Sequence, residues 1–168
     1  MSEDRIAALE ARIRELEDKA AIAALIDRYA QSIRMRDKRG CQALLCDDAW
    51  FELRHVDRHD PRLDTLITRL EGSAAMVGGY DTEAGAANSV WPMIHSVDVA
   101  IDGDRAEALC VMASAIWPVG QQFVGEYRDE LVRTEQGWRF RSRTYRMIGE
   151  VGGKFATEAR EDYEAVKG

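Results

Sequence analysis

Apolar residues recur at alternating intervals of three and four along the start of the chain: Ile6, Leu9, Ile13, Leu16, Ala20 and Ala23. That spacing lines one face of a helix, so helix is expected almost without interruption over residues 3–37. Ser2 can cap its start, and Glu3 and Asp4 suit the positive end of the helix dipole. From Ile6 to Leu16 the stripe is narrow and flanked by charge, as in an arm that packs on a partner or on a domain edge. From Ala20 to Arg36 it widens to include Ile22, Leu25, Ile26, Tyr29 and Ile33, which suits burial against a sheet. Asp37 to Gly40 breaks the helix, Cys41 to Leu45 reads as a short second one, and Ala49 to Leu53 reads as an apolar strand.

Residues 54–64 are polar and read as a loop, 66–80 as a helix ended by Gly78-Gly79, and 81–88 as a small-residue loop. The period then changes to two, with Val97, Val99 and Ile101 alternating with polar or small neighbours. Asp102-Gly103-Asp104 and Gln136-Gly137 mark tight turns between strands at 106–117, 123–134 and 138–148. Helices followed by a meander of antiparallel strands give an α+β fold. The chain divides into a helical arm (1–17), one domain (18–148) and a charged tail (149–168) that is expected to be helical.

Composition narrows the function. The 168 residues are 46% hydrophobic, enough for one packed domain, and carry 23 basic against 30 acidic side chains, net −7. That balance argues against a general nucleic-acid binder, which needs a basic face to displace counterions from phosphates. No stretch approaches the apolar length of a membrane span, and no apolar run follows the charged N-terminus, so a cytoplasmic domain is expected. Cys41, Cys46 and Cys110 are odd in number and lack CxxC spacing, which fits a reducing compartment. His55 and His59 with Asp57 and Asp60 look like a metal cluster on paper, but a charged loop is their simpler setting, and no metal or cofactor is expected. Neither phosphate-loop glycines nor a G-x-S-x-G elbow is present in the sequence.

A set of short motifs occurs in a distinctive order: Ala20-Ala21-Ile22, Tyr29-Ala30, Leu44-Leu45-Cys46-Asp47-Asp48-Ala49, Asp102-Gly103-Asp104-Arg105-Ala106, then Tyr127 to Leu131 and Gly137-Trp138 through Arg143. Together they resemble the SnoaL-like branch of the nuclear transport factor 2-like superfamily, and Val90-Trp91-Pro92-Met93-Ile94-His95 resembles its scytalone-dehydratase-like and dehydrochlorinase-like members. The resemblance implies a curved antiparallel sheet wrapped around helices as a cone with a small-molecule pocket. It implies dehydratase, dehydrochlorinase, isomerase, cyclase or lyase chemistry, a non-catalytic binding role, or a structural role like that of a dioxygenase β-subunit. Relatives form dimers and trimers, so a homodimer or homotrimer is expected.

The resemblance also assigns roles. His95 matches the histidine general base, Tyr29 a catalytic tyrosine and Arg143 a last-strand arginine. Arg34 stands where the dehydratase pattern has an aspartate, and Asp37, one turn later, is the acid that could replace it. A guanidinium there suits an anionic ligand group. Trp50, Trp91, Met93, Trp117, Tyr127 and Tyr145 are the candidate pocket wall, suited to a flat aromatic substrate. Of the arginines at 139, 141 and 143, which share one face if no bulge intervenes, Arg143 is expected to point inward. The activity this implies is a cofactor-independent lyase that removes water or a one-carbon fragment from a small aromatic substrate.

Overall fold

The computed structural model describes residues 3–57, 59–79, 89–117 and 120–151. A 33-residue helix, α1 (Glu3–Met35), leads into a short α2 (Lys38–Gln42). Then come β1 (Leu45–His55), β2 (Thr65–Glu71), α3 (Ser73–Gly78) and four long strands, β3 (Ser89–Asp102), β4 (Arg105–Trp117), β5 (Gln121–Thr134) and β6 (Gly137–Val151). The strands form one six-stranded sheet in the order β2-β1-β6-β5-β4-β3. The α+β class and the helices-first order follow the sequence pattern.

The sheet is mixed rather than wholly antiparallel, because β6 runs parallel to β1. Three successive hairpin reversals fix the direction in which β6 arrives. The free edge of β1, already paired on its other side with β2, accepts it in that direction. Two of those reversals turn at Gly103 (φ 59°) and Gly137 (φ 97°), left-handed positions that favour glycine. The expected helix at 66–80 is a strand followed by a helix of six residues. Thr65, Ile67 and Thr68 are β-branched, and pairing with β1 satisfies a backbone that a helix would have left away from the sheet. Gly72, at φ 85°, ends the strand and opens α3. β1 is likewise longer than expected, starting at Leu45 rather than Ala49. β6 continues to Val151, past the boundary expected after residue 148. The loop at 81–88, Tyr80 and the expected helical tail from 152 lie outside the described residues.

Register shifts bend the sheet. His95 is an extra residue between Ile94 and Ser96 on β3, and Arg141 is one between Phe140 and Ser142 on β6. Such bulges raise the local twist and curl the strands. The concave face so formed receives α1: Ile22, Leu25, Ile26 and Tyr29 are buried with Leu45, Ala49, Cys110, Leu131 and Phe140. Alternation on the strands sets Ala106, Ala108, Cys110, Met112 and Ser114 of β4 inward and Glu107, Leu109 and Val111 outward.

Candidate functional site

The bulge at Arg141 decides which arginine enters the fold. Phe140 and Arg143 lie three residues apart, yet both face inward and both are fully buried. Arg139 instead donates to the Leu45 carbonyl oxygen, and Arg141 lies exposed 3.7 Å from Asp48. Arg143 sits on β6 opposite Asp129 of β5, and its Nε and Nη2 each donate to that carboxylate at 2.9 Å. Three rings enclose the guanidinium: Tyr29 of α1 at 4.0 Å, Tyr127 of β5 at 4.1 Å and Phe140 at 4.2 Å from its carbon. The ring faces offer their negative quadrupole to the cation, which offsets part of its lost hydration. Burial works against the charged guanidinium, but the Asp129 carboxylate together with Tyr29 and Tyr127 outweighs it, so Arg143 is held above the ordinary arginine value. Burial also pushes the Asp129 carboxyl up, against the pull of Arg143. The fork of two parallel hydrogen bonds is the geometry that keeps such a pair ionised.

Along the same face, one row further, Tyr127 and Tyr145 are cross-strand partners with ring centroids 5.1 Å apart. The Tyr145 ring lies over Gly125, where a Cβ would come within 2.6 Å of its Cε2 and would also meet the Arg146 carbonyl. Glycine at this position is therefore what leaves room for the ring. Burial raises the phenols of Tyr29 and Tyr145, and pushes Tyr127 up to about 12, so all three remain protonated donors at neutral pH. Among the described residues, three buried side-chain atoms have no hydrogen-bond partner: Arg143 Nη1, Tyr145 Oη and Ser114 Oγ. All three belong to residues whose alternation sets them on the concave face.

The candidates therefore divide. Tyr29, Arg143, Tyr127 and Tyr145 come together inside the cone. His95 is exposed at the β3 bulge on the sheet edge, and no described carboxylate hydrogen-bonds to it. Asp37 is the cap of α2, its Oδ1 accepting from the Gly40 N–H at 2.9 Å. Arg34 donates to Gln31 Oε1 and stacks 5.3 Å from the Trp91 ring. Met93 is exposed on the outer side of β3. Trp50 also faces outward, under the Arg69 guanidinium at 4.5 Å. It lines a cleft of about 420 Å³ on the convex face with Asp98, Glu107, Leu109, Arg128 and Ser142. The side chain of Trp117 lies outside the described residues. In the loop after β1, Asp57 accepts from backbone N–H groups and Asp60 pairs with Arg62. No group of three or more metal-ligating side chains converges among the described residues.

Asp129, Ser114 and Gly125 were not singled out in the sequence. The signal was there for two of them. Asp129 is the acid between the inward Tyr127 and Leu131 of a period-two strand, and Ser114 continues the inward run of Cys110 and Met112. A polar residue in the buried register of a strand is what marks a site of this kind.

A long N-terminal helix laid across a bulged six-stranded sheet, with a polar cluster in its concavity, defines the class of small cone-shaped α+β proteins. Residues 14–144 match the family model of the SnoaL-like domain, and the chain belongs to that family. No curated protein sequence matches it. Among solved structures it is similar to a nuclear transport factor 2-like protein with a cystatin-like fold from Novosphingobium aromaticivorans, at 24% identity and TM-score 0.71, covering 94% of this chain and 97% of that one. It is also similar to a candidate aromatic-ring-hydroxylating dioxygenase β-subunit from the same organism, at 15% identity and TM-score 0.68, over 82% of this chain and 92% of that one. A candidate scytalone dehydratase from that organism matches at 15% identity and TM-score 0.66, over 82% and 88% of the two chains. At these identities the likeness is one of fold. No helix among the described residues is long and apolar enough to cross a membrane.

Proposed function

We propose that the chain is a cofactor-independent lyase that takes a small aromatic molecule with an oxygen substituent and eliminates water or a one-carbon fragment. The observation that carries this reading is the set of unpartnered buried groups on the concave face, Arg143 Nη1, Tyr145 Oη and Ser114 Oγ. A buried donor without a partner costs about 1–3 kcal/mol, which a ligand oxygen accepting from it would recover. Donors fixed in place before the reaction favour a state in which C–H cleavage builds charge on that oxygen. Tyr29 and Tyr127 hold the guanidinium plane, so it need not reorganise as the charge grows. The resemblance makes His95 the base; because it is exposed on the edge strand, this reading requires the reacting C–H to extend from the concave cluster to that edge. The candidate scytalone dehydratase of like fold supports the reaction class by analogy.

A second reading, a non-catalytic binding or assembly role, is favoured by His95, which is exposed and has no carboxylate partner among the described residues, and by Arg34 in place of the expected acid. Calorimetry with catechol, resorcinol and naphthol, and product analysis with 3-hydroxy-1-tetralone, whose acidic C–H beside the carbonyl and neighbouring hydroxyl leave as water to give 1-naphthol, separate the two. Wild type is expected to bind. Tyr145→Phe and Ser114→Ala should each weaken binding several-fold, and His95→Ala should bind normally without forming product. Absence of binding across the panel overturns the site, and full turnover by His95→Ala overturns the base. Binding by wild type without any product selects the second reading.

A further inference from the structure

We infer that the first two and a half turns-of-seven of α1 form a parallel, two-stranded coiled coil with a second copy of this chain. Every residue from 3 to 17 is exposed, so this part of the helix stands clear of its own domain. Ile6, Leu9, Ile13 and Leu16 are 40–60% exposed, although large apolar side chains on a helix normally seek cover. The spacing of three and four places them in the alternating seam positions of a seven-residue repeat, isoleucine in the first and leucine in the fourth. In parallel coiled coils that choice, a β-branched residue in the first seam position and leucine in the second, favours two strands over three or four.

The flanking charges choose the partner and its direction. On one side of the seam lie Glu3, Glu10 and Glu17, and on the other Arg5, Arg12 and Lys19, with no exception. In a parallel pair in register, Arg5 faces Glu10 of the second copy and Arg12 faces Glu17, and the reciprocal pairs form by symmetry. In an antiparallel pair the same pattern sets glutamate against glutamate and arginine against arginine. Helix charges at these positions set orientation in coiled coils generally.

The attachment of the helix agrees with this. Asp18, on the side opposite the seam, accepts from Arg133 Nη2 at 2.6 Å and from Trp138 Nε1 at 3.0 Å. Further along, Ile22, Leu25, Ile26 and Tyr29 bury a face that does not include the seam, where Ala20 is exposed. The seam therefore points away from the domain. Ala20 and Ala23 continue it with small residues, and exposed Asp27 ends it with a charge that would repel its own copy.

Sedimentation velocity on the full chain at tens of micromolar is expected to give twice 18.9 kDa. Ile13→Glu with Leu16→Glu should give the monomer with an unchanged circular dichroism spectrum for the sheet, since neither side chain touches the domain. Leu9→Cys should cross-link into a dimer under oxidation, because a seam cysteine meets its own copy only when the helices are parallel and in register. Arg5→Glu with Arg12→Glu, and separately Glu10→Arg with Glu17→Arg, should each weaken association at least tenfold, and an equimolar mixture of the two should restore it. A trimer, a monomeric wild type, a dimer that survives Ile13→Glu with Leu16→Glu, or a Leu9→Cys chain that does not cross-link beyond the wild-type level would each overturn the inference.

Discussion

Arg143 and Asp129 are both sealed from solvent, and each is tolerable there only because of the other. Removing one partner of such a pair leaves a buried charge without compensation, and Asp129→Ala is expected to cost about 3–5 kcal/mol. Exchanging both, as Asp129→Leu with Arg143→Met, should restore most of that loss, since apolar side chains of like volume need no hydration. Urea unfolding of the two single variants and the double one measures the difference. The double variant should also lose phenol binding, which separates the stability of the pair from its role in the site. Asp37 is the contrasting case. As a helix cap on an exposed surface, Asp37→Ala should lower stability by about 1 kcal/mol. Phenol binding should be unchanged, because the residue is remote from the concave cluster. The expectation of an acid beside His95 rested on position along the chain, whereas the hydrogen bond to Gly40 shows what the side chain does.

Among the elements, the short β2 and the loop before it are held by carboxylates rather than by a core. Asp64 accepts from Arg146 of β6 and from the Asp57 N–H, and Arg146 also binds Glu126 of β5. The Arg146 hydrogen bond draws the Asp64 carboxyl below its ordinary value, against burial. Asp18 is lowered in the same way by Arg133, with burial opposing and Trp138 helping. Both groups have folded pKa values below those of the unfolded chain. The stability they contribute is therefore complete above an unfolded aspartate pKa of about 4 and is lost as pH falls from there through the folded values. The urea midpoint should hold steady from neutral pH down to that region and then drop, and Asp64→Asn should make the drop shallower. β2 itself shows where periodicity misleads. Leu66, Ile67 and Leu70 fit a helical face as well as a strand, and what selected the strand was the open edge of β1, a partner distant in sequence. The long strands and α1 were legible because each repeats its own period over many residues.

At the scale of the molecule, α1 joins the domain to the exposed arm as one continuous helix, so association through the arm also stabilises the helix that carries Tyr29. The melting temperature of wild type is therefore expected to rise with protein concentration, and that of Ile13→Glu with Leu16→Glu to stay constant. Calorimetric scans over a range of concentrations test this. The seam on the arm, its flanking charges, the helical start and the strand meander are periodic, local features, and the sequence by itself determined them. The resemblance carried by the short motifs likewise points to the SnoaL-like family, whose model the chain matches. Only the tertiary structure decided that β6 lies parallel to β1 and that the bulge at Arg141 turns Arg143 inward. It alone paired Asp129 with Arg143, whose guanidinium lies over Tyr29 and Tyr127, and left His95 on the outer edge. The reason is physical: period and propensity act between neighbours on one segment. Which polar side chain is buried depends instead on register between strands, and a single extra residue reverses every face beyond it.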